Sequence, residues 1–335
     1  MKKIFLLLSL FLIMNYSCKN QDWEFDDYDY TTTYFAFQTP VRTLVLGDYN
    51  FDNTNDNNHR FIISTAIGGV YNNNVDREVR FVIDETLTNN LYAVNEEIIP
   101  LPRSYYTLSD NDKMIIPKGS FTGGVTVQLN DAFFQDSLST FTKYVIPVKI
   151  VSSTTDSILR GSPARPNPDP RIAGDWVQVP KDYTLFGIKY VNEYHGRYLL
   201  RGATQVKAAD GSEVERIVYR NALVEKDEVV SVNTAGRKKV MYRNAIRLSG
   251  GSPGTFDMLL TFDDNDNCTI TQRSGFQVTG TGKFVKNGDE WGGEKRAVLH
   301  LDYQINDGTY THMVKDTLVF RDKAVALQEF TPTIR

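Results

Sequence analysis

The sequence predicts an all-β protein with two consecutive domains, a β-sandwich followed by a closed antiparallel β-barrel. Three observations lead to this fold class. A chain of 335 residues is long enough for two domains with cores of their own. Short segments rich in β-branched and aromatic residues recur along it, separated by Asn, Asp, Gly and Pro clusters. No segment keeps a helical spacing of apolar residues for long.

The first 17 residues have the features of a secretory signal peptide. Lys2 and Lys3 precede an apolar segment, residues 4–14, in which only Ser9 is polar. A segment of this length fits a signal peptide and is too short to span a bilayer, which takes about 20 apolar residues. We therefore expect residues 1–17 to be removed and the remaining chain to be exported.

The residues that follow the apolar segment resemble a bacterial lipobox. Asn-Tyr-Ser-Cys at residues 15–18 places a small residue directly before Cys18, as in the relaxed lipobox of Bacteroidetes lipoproteins. The resemblance implies that Cys18 is lipidated and anchors the chain in the outer membrane. Residues 18–30 would form an acidic tether, since residues 22–29 hold five carboxylates. This tether resembles the export signal for the outer face of that membrane, which implies outward display.

Residues 31–160 are predicted to form the β-sandwich. The predicted strands are residues 34–39, 60–67, 79–84, 125–129 and 144–150. Short strands at irregular spacing with long polar connections are typical of two packed sheets of the immunoglobulin-like kind. Residues 85–95 can hold a helical turn or two. A proline-rich linker, residues 161–172, ends this domain, because its prolines favour an extended chain.

Residues 173–335 are predicted to form an up-and-down antiparallel β-barrel. The predicted strands are residues 197–206, 214–220, 229–233, 239–248, 256–262, 268–273, 277–285, 296–305 and 310–320. Hairpin turn signals separate several of them, including Asp210-Gly, Gly250-Gly, Asn287-Gly and Asn306-Asp-Gly. In residues 297–305 apolar and polar residues alternate almost strictly. A long meander of such strands removes its exposed edges most simply by closing.

The predicted barrel resembles the lipocalins. Gly-Asp-Trp at residues 174–176 and Arg321 after the last strand are similar to the glycine-x-tryptophan opening and the late arginine of that superfamily. The resemblance implies that Trp176 plugs one end of the barrel beneath the guanidinium group of Arg321. A barrel of this kind can also carry a small apolar ligand.

Longer segments resemble two domains of unknown function found in Bacteroidetes surface lipoproteins. Residues 101–109, 115–119 and 143–150 are similar to the adhesin-like N-terminal domain, and residues 183–202 and 315–322 to the lipocalin-like domain that follows it. The resemblance implies an accessory protein of a starch-utilisation-type polysaccharide locus, near an outer-membrane importer complex. It supplies no catalytic or binding residues.

The sequence offers little material for catalysis, metals or nucleic acids. A formal net charge of −4 gives no overall attraction to phosphate backbones. The four histidines lie far apart, and the most interesting, His195, is expected to be structural. Residues 250–254 match a G-x-S-x-G nucleophile motif but precede a predicted strand. Residues 263–267 do not fit an EF-hand, although a different calcium site there stays open. We expect a non-enzyme without cofactor or metal.

Aromatic residues are the candidates for ligand binding. Sugars pack on flat aromatic faces while carboxylate, amide and guanidinium groups bind their hydroxyls. Trp291, among glycines and acids, is the first candidate, followed by Tyr183, Tyr190 and Tyr194; core packing is the alternative for each. The leading hypothesis is a non-catalytic glycan-binding surface lipoprotein. An adhesin or structural surface protein that binds another protein, and a barrel that carries a small apolar ligand, are the alternatives.

Overall fold

The computed structural model describes residues 30–335, and almost all of their regular structure is β. The signal peptide, Cys18 and nearly all of the acidic tether lie outside the described residues. The strands of the first part of the chain are β1 (Thr32–Tyr34), β2 (Pro40–Val45), β3 (Arg60–Gly68), β4 (Arg77–Ile83), β5 (Leu91–Ala93), β6 (Glu96–Glu97), β7 (Ile99–Pro100), β8 (Tyr106–Leu108), β9 (Lys113–Ile116), β10 (Thr122–Leu129), β11 (Tyr144–Ser153), β12 (Ser157–Ile158) and β13 (Ser162–Pro163).

The remaining strands follow the linker. They are β14 (Trp176–Gln178), β15 (Tyr183–Val191), β16 (Gly196–Lys207), β17 (Glu213–Tyr219), β18 (Glu228–Gly236), β19 (Lys239–Ala245), β20 (Thr255–Phe262), β21 (Asn267–Ser274), β22 (Gln277–Trp291), β23 (Glu294–Asn306), β24 (Thr311–Asp322), β25 (Gln328–Glu329) and β26 (Thr333–Ile334). Helices are short: α1 (Thr54–Asn57), α2 (Asp131–Gln135) and the 3₁₀ turns Glu85–Thr88, Arg103–Tyr105, Ser137–Thr140, Ala173–Asp175 and Val224–Lys226.

The first domain is a sandwich whose two layers meet at β10. One layer has the order β12-β1-β3-β10-β8 and the other β9-β4-β11-β15-β2-β25. They are joined where Gly124 of β10 pairs with Ile115 of β9. A side chain at the neighbouring Gly123 would collide with the Ile115 carbonyl group, so glycine permits this close corner. The apolar faces of β3, β4, β10 and β11 meet in one core, which confirms the predicted sandwich.

Strand β15 belongs to this sandwich although it follows the linker. It pairs antiparallel with β11 and parallel with β2. Leu185, Ile188 and Tyr190 are fully buried, because a central strand is covered on both faces. The sequence pattern predicts residues 173–335 as the barrel domain, whereas the structure places Tyr183–Val191 in the first domain.

The second domain is the predicted closed antiparallel barrel. Its ring has the order β16-β18-β19-β20-β21-β22-β23-β24 and closes by pairing β24 with β16. Strand β17 pairs with the second half of β16 outside the ring. All nine predicted strands of this domain are present, and the eight strands of the ring direct alternate apolar residues into the lumen. Side chains fill that lumen, among them Tyr198, Tyr242, Phe256, Leu260 and Leu301.

One predicted turn is wrong, and it is the one beside Trp291. Asn287-Gly does not end β22; the strand continues through a bulge between Val285 and Asp289. The hairpin turns instead at Gly292 and Gly293, both of which have positive φ. Trp291 is therefore the last residue of a strand rather than part of an open loop.

The lipocalin-like role of Trp176 is also wrong. Trp176 lies in β14, which pairs with β13 of the linker, and its indole nitrogen donates to the Asp169 carbonyl oxygen at 2.8 Å. The end of the barrel that faces the first domain is covered instead by Tyr194. Its ring stacks on Phe262 at 3.7 Å between centroids and meets Phe284 edge-on.

Candidate functional site

The three candidate tyrosines are buried and serve the two cores. Tyr183 donates its hydroxyl hydrogen to the Pro170 carbonyl oxygen at 2.8 Å, and Tyr190 donates to that of Phe134 at 2.9 Å. Burial raises the pKa of both hydroxyls to about 12. Tyr194 donates to Asp266 Oδ1 at 2.9 Å. Each of these residues is at most 5% exposed, so the three rings pack in the cores and offer no face to a sugar.

Trp291 is half-buried rather than exposed. Its indole nitrogen donates to the Phe320 carbonyl oxygen at 3.1 Å, and the ring packs against the apolar patch formed by Val298 and Val319 on the outside of the barrel. The Arg296 guanidinium group covers the ring at 4.4 Å from its centroid. The Arg296 guanidinium group therefore covers one face of the Trp291 ring, and the ring supports that group.

The other motifs form turns and structural contacts. Residues 250–254 connect β19 to β20 with no helix after them, so Ser252 is not raised on a nucleophile elbow. Asp263 accepts hydrogen bonds from the backbone of Asn265 and Asn267, which forms an ordinary turn. His195 Nδ1 accepts from the Thr234 backbone nitrogen at 3.1 Å, and burial, with Lys323 and Lys189 adding repulsion, lowers its pKa to about 4.

Features of membrane helices and metal sites are absent over residues 30–335. Within that range no helix is long and apolar enough to cross a membrane. No three His, Cys, Asp or Glu side chains of those residues are placed to hold a metal ion. Cys268 is a buried free thiol inside the barrel, and burial raises its pKa to about 12.

A concave site lies in a cleft between the two domains. It has a volume of about 350 Å³. The first domain contributes the loop after β2, and the barrel contributes the β22–β23 hairpin and the end of β24. The lining residues are Asp48, Tyr49, Asn50, Glu193, Phe284, Lys286, Asn287, Glu294, Lys295, Arg296, Ala297, Phe320, Arg321, Asp322 and Lys323. We call this site the interdomain cleft.

The loop that carries Tyr49 is held by hydrogen bonds from α1 and the residue before it. Asn53 donates through its amide to the carbonyl oxygens of Val45 and Gly47, at 2.8 and 2.7 Å. The side-chain oxygen of Asn57 accepts from the Gly47 backbone nitrogen at 2.9 Å. Gly47 has a φ of +81°, and a side chain there would collide with Glu193. Glycine thus lets the loop approach the barrel.

Two polar contacts shape the walls of the interdomain cleft. Lys286 of the barrel donates to Asp48 of the first domain at 3.0 Å, so an ion pair bridges the opening. Arg296 pairs with Glu294 at 2.8 Å, while its Nε is buried without a hydrogen-bond partner. Buried polar groups without partners are uncommon, and this one lies beside a cleft.

The cleft combines the groups that sugar sites use. Tyr49 is half-buried and meets the exposed ring of Phe51 edge-on at 4.4 Å between centroids. Carboxylate, amide, ammonium and guanidinium groups surround it. Tyr49 is not predictable as a site residue from the polar composition of its loop. The available signal is the sequence Asp48-Tyr-Asn-Phe51, which places two aromatic residues among hydrogen-bonding ones.

Comparison with known proteins identifies the family. A Bacteroides ovatus protein of unknown function with a solved crystal structure is 37% identical to this chain. The match covers 92% of this chain and 100% of that one, with a TM-score of 0.85. This chain belongs to the same family. A family model described as a domain of unknown function, DUF5627, matches residues 193–324, and a model described as an N-terminal domain matches residues 28–157.

The two family models agree with the observed division of the chain. The DUF5627 match begins after β15 ends, and the N-terminal match ends before it begins, so β15 falls between them. Two further Bacteroides ovatus structures are more distant. A multidomain protein including DUF1735 is 11% identical with a TM-score of 0.43, covering 89% of this chain and 97% of its own. A protein of unknown function is 13% identical with a TM-score of 0.38, covering 80% and 85%. No curated protein matches the chain.

Proposed function

We propose that this protein is a non-catalytic glycan-binding lipoprotein of the outer-membrane surface, and that the interdomain cleft holds the glycan. The observation that carries the proposal is Tyr49, an aromatic side chain in a cleft of about 350 Å³ with hydrogen-bonding groups on both walls. Small-molecule sites favour concave positions between domains with a few placed polar groups. The bound glycan would be passed to a neighbouring importer complex in the outer membrane.

Rigid walls support this role. The loop of Tyr49 is fixed by Asn53 and Asn57, and Arg296 is held by stacking on Trp291. Groups that are already ordered lose less conformational entropy when a ligand binds. A binding protein with this cleft needs no large rearrangement to take a sugar chain.

Glycan retention tests the cleft. The mature protein is run through affinity gels that contain one polysaccharide each, and titrated with the oligosaccharide of any gel that retards it. Tyr49→Ala should weaken binding about tenfold or more, because it removes the aromatic face. Tyr30→Ala is the matched control, since Tyr30 is exposed and does not line the cleft. No retardation across a broad panel would overturn the proposal.

The anchor needs its own test because Cys18 lies outside the described residues. Palmitate labelling of the producing cells should mark the wild-type chain and leave Cys18→Ala unlabelled. Protease added to intact cells should then digest the wild-type protein, as outward display requires. If the protein were labelled with palmitate but protected from protease, the lipid anchor would be supported and display on the outer surface would be contradicted.

An adhesin or structural surface protein is the second candidate. Among the described strands β17 pairs only with β16, and it leaves Val214 and Val218 about half exposed beside an open edge. Unpaired edges are places where another chain can add a strand. A protein partner that co-purifies, together with indifference to every glycan, would favour this candidate. The third alternative, an apolar ligand in the barrel, is disfavoured because side chains fill the lumen.

A further inference from the structure

The outer face of the barrel carries a row of basic side chains that the interdomain cleft does not use. Lys283 of β22 pairs in register with His300 of β23, and His300 with Thr317 of β24. Thr317 in turn pairs with Arg201 of β16. These residues alternate with the lumen-facing ones, so their side chains point outwards. The row continues onto β17, whose Arg216 and the adjacent Arg220 are exposed.

Two adjoining grooves follow this row. They have volumes of about 280 and 450 Å³ and share Lys315 and Thr317 in their linings. The cations that line them are Arg201, Arg216, Arg220, Lys283 and Lys315. Two carboxylates line the grooves, Asp302 and Asp316, and of these Asp302 is exposed. Asp316 is only 2% exposed and lies among tyrosines inside the barrel. We call the five cations, with His300 and Thr317, the basic face.

Several of these cations are free to bind an anion. Arg201 is paired with Asp227 at 2.7 Å, and Lys315 is paired with Asp302. Arg216, Arg220 and Lys283 form no ion pair with any described residue. The whole chain has a net charge of −4, so this concentration of positive charge is local. A local positive potential attracts anions even when the net charge of a protein is negative.

The geometry selects an extended anion over a compact one. Five neighbouring strands at about 4.8 Å spacing place the row over roughly 19 Å. Arginine guanidinium groups bind carboxylate and sulfate oxygens in pairs. No Phe, Tyr or Trp side chain lines either groove, so the basic face lacks the large aromatic surfaces on which proteins stack the bases of single-stranded nucleic acids.

We propose that the basic face is a second binding site, for an anionic polysaccharide that carries carboxylate or sulfate groups. The site goes beyond the glycan cleft and does not depend on it. Four of its five cations lie on paired strands and Arg220 directly follows one, so the backbone that carries the row is held in place before a ligand arrives. The interaction is electrostatic and exposed, and it should weaken as salt screens it.

The test measures the affinity of the mature protein for heparin, as a sulfated chain, and for polygalacturonate, as a carboxylated one, with dextran as the neutral control. At low ionic strength the protein should bind at least one of the two anionic chains through the basic face. The basic face should not bind dextran. Arg216→Glu with Arg220→Glu should raise the Kd about tenfold or more. Both residues are exposed, on β17 and directly after it, outside the closed ring, and thermal unfolding of the variant should match that of the wild type.

Two control variants show whether binding depends on the basic face itself. Lys118→Glu with Arg273→Glu makes the same change in net charge at exposed positions outside the grooves, and should leave the Kd unchanged. Tyr49→Ala should also leave it unchanged, so failure of the cleft and failure of the basic face are distinguishable. The proposal would be overturned if the protein bound neither anionic chain. It would also be overturned if the two charge variants lost affinity equally, if Tyr49→Ala lost binding to the anionic chains, or if the protein bound DNA more tightly than either polysaccharide.

Discussion

The buried ammonium group of Lys323 donates a 2.6 Å hydrogen bond to the backbone carbonyl oxygen of Glu193. It donates a second one, at 3.3 Å, to that of Asn192. Lys323 directly follows the last barrel strand, whereas Glu193 lies in the connection that leaves the first domain. The two bonds therefore tie the end of the barrel to the domain junction, at the base of the interdomain cleft. Burial lowers the pKa of Lys323 from 10.5 to about 8.

The stability of the wild type should rise with pH relative to Lys323→Met above about pH 8. Between the folded pKa of about 8 and the ordinary value of 10.5, the unfolded chain holds a proton that the folded chain has released. The free energy of unfolding then increases with pH, by roughly 3 kcal/mol at most. Urea unfolding of both proteins at about pH 7 and about pH 10 measures the difference. An equal change in the free energy of unfolding of the two proteins between these pH values would contradict the prediction.

Gly47→Ala should destabilise the protein more than Gly119→Ala. The two glycines have nearly equal φ, +81° and +82°, so both variants incur the strain of a left-handed alanine, about 1 kcal/mol. Only at Gly47 would the new methyl group also collide with Glu193; at Gly119 nothing lies within 4 Å. We expect a further loss of about 1 to 2 kcal/mol and weaker glycan binding in Gly47→Ala. Equal unfolding midpoints for Gly47→Ala and Gly119→Ala would show that residue 47 is not in close contact with Glu193.

Trp291→Ala should weaken glycan binding through Arg296 rather than by loss of a sugar contact. The substitution removes the ring beneath the guanidinium group and exposes Val298 and Val319, at a cost in stability of about 2 kcal/mol. Trp291→Phe keeps a ring and loses only the hydrogen bond to Phe320, which contributes about 1 kcal/mol. Calorimetric titration should therefore show near-normal affinity for Trp291→Phe. If Trp291→Phe and Trp291→Ala lost affinity equally, Trp291 itself would contact the sugar.

Asp316→Asn should gain stability relative to the wild type as the pH rises from about 4 to about 6. Tyr303 donates to the Asp316 carboxyl group at 2.7 Å and Asn244 at 3.1 Å, and Tyr219 also donates. Burial nevertheless raises the pKa of Asp316 from 3.8 to about 6. The folded state then binds more protons than the unfolded state in this window, so wild-type stability falls as pH rises through it, by roughly 3 kcal/mol at most. Thermal unfolding of both proteins across this pH range checks the sign, and a constant difference would rule it out.

The barrel strands are predictable from the sequence because their signal is local. In residues 297–305 the alternation of apolar and polar side chains is the same property that sends Leu299, Leu301 and Tyr303 into the lumen. The predicted turn beside Trp291 is wrong for a related reason. Asn287-Gly favours a hairpin locally, yet pairing of Asp289 and Glu290 with the partner strand extends β22 through a bulge.

The site was harder to predict because its parts are distant in the chain. Asp48 and Lys286 form a 3.0 Å ion pair across 238 positions of sequence. Aromatic and hydrogen-bonding residues are the types that the sequence suggests for a sugar site, but the tyrosines chosen for that role lie in apolar surroundings that only packing reveals. Tyr190, for example, follows a lysine in the sequence and is fully buried in the sandwich core.

The all-β class, the approximate strands and the order of sandwich and barrel follow from the sequence alone, because alternation and turn propensity act between neighbouring residues. Three outcomes depend on tertiary packing: β15 pairs within the sandwich, Trp291 supports Arg296, and Tyr49 lines a cleft. Those outcomes depend on which surfaces bury one another after the strands have formed, and burial is a property of the whole assembled chain.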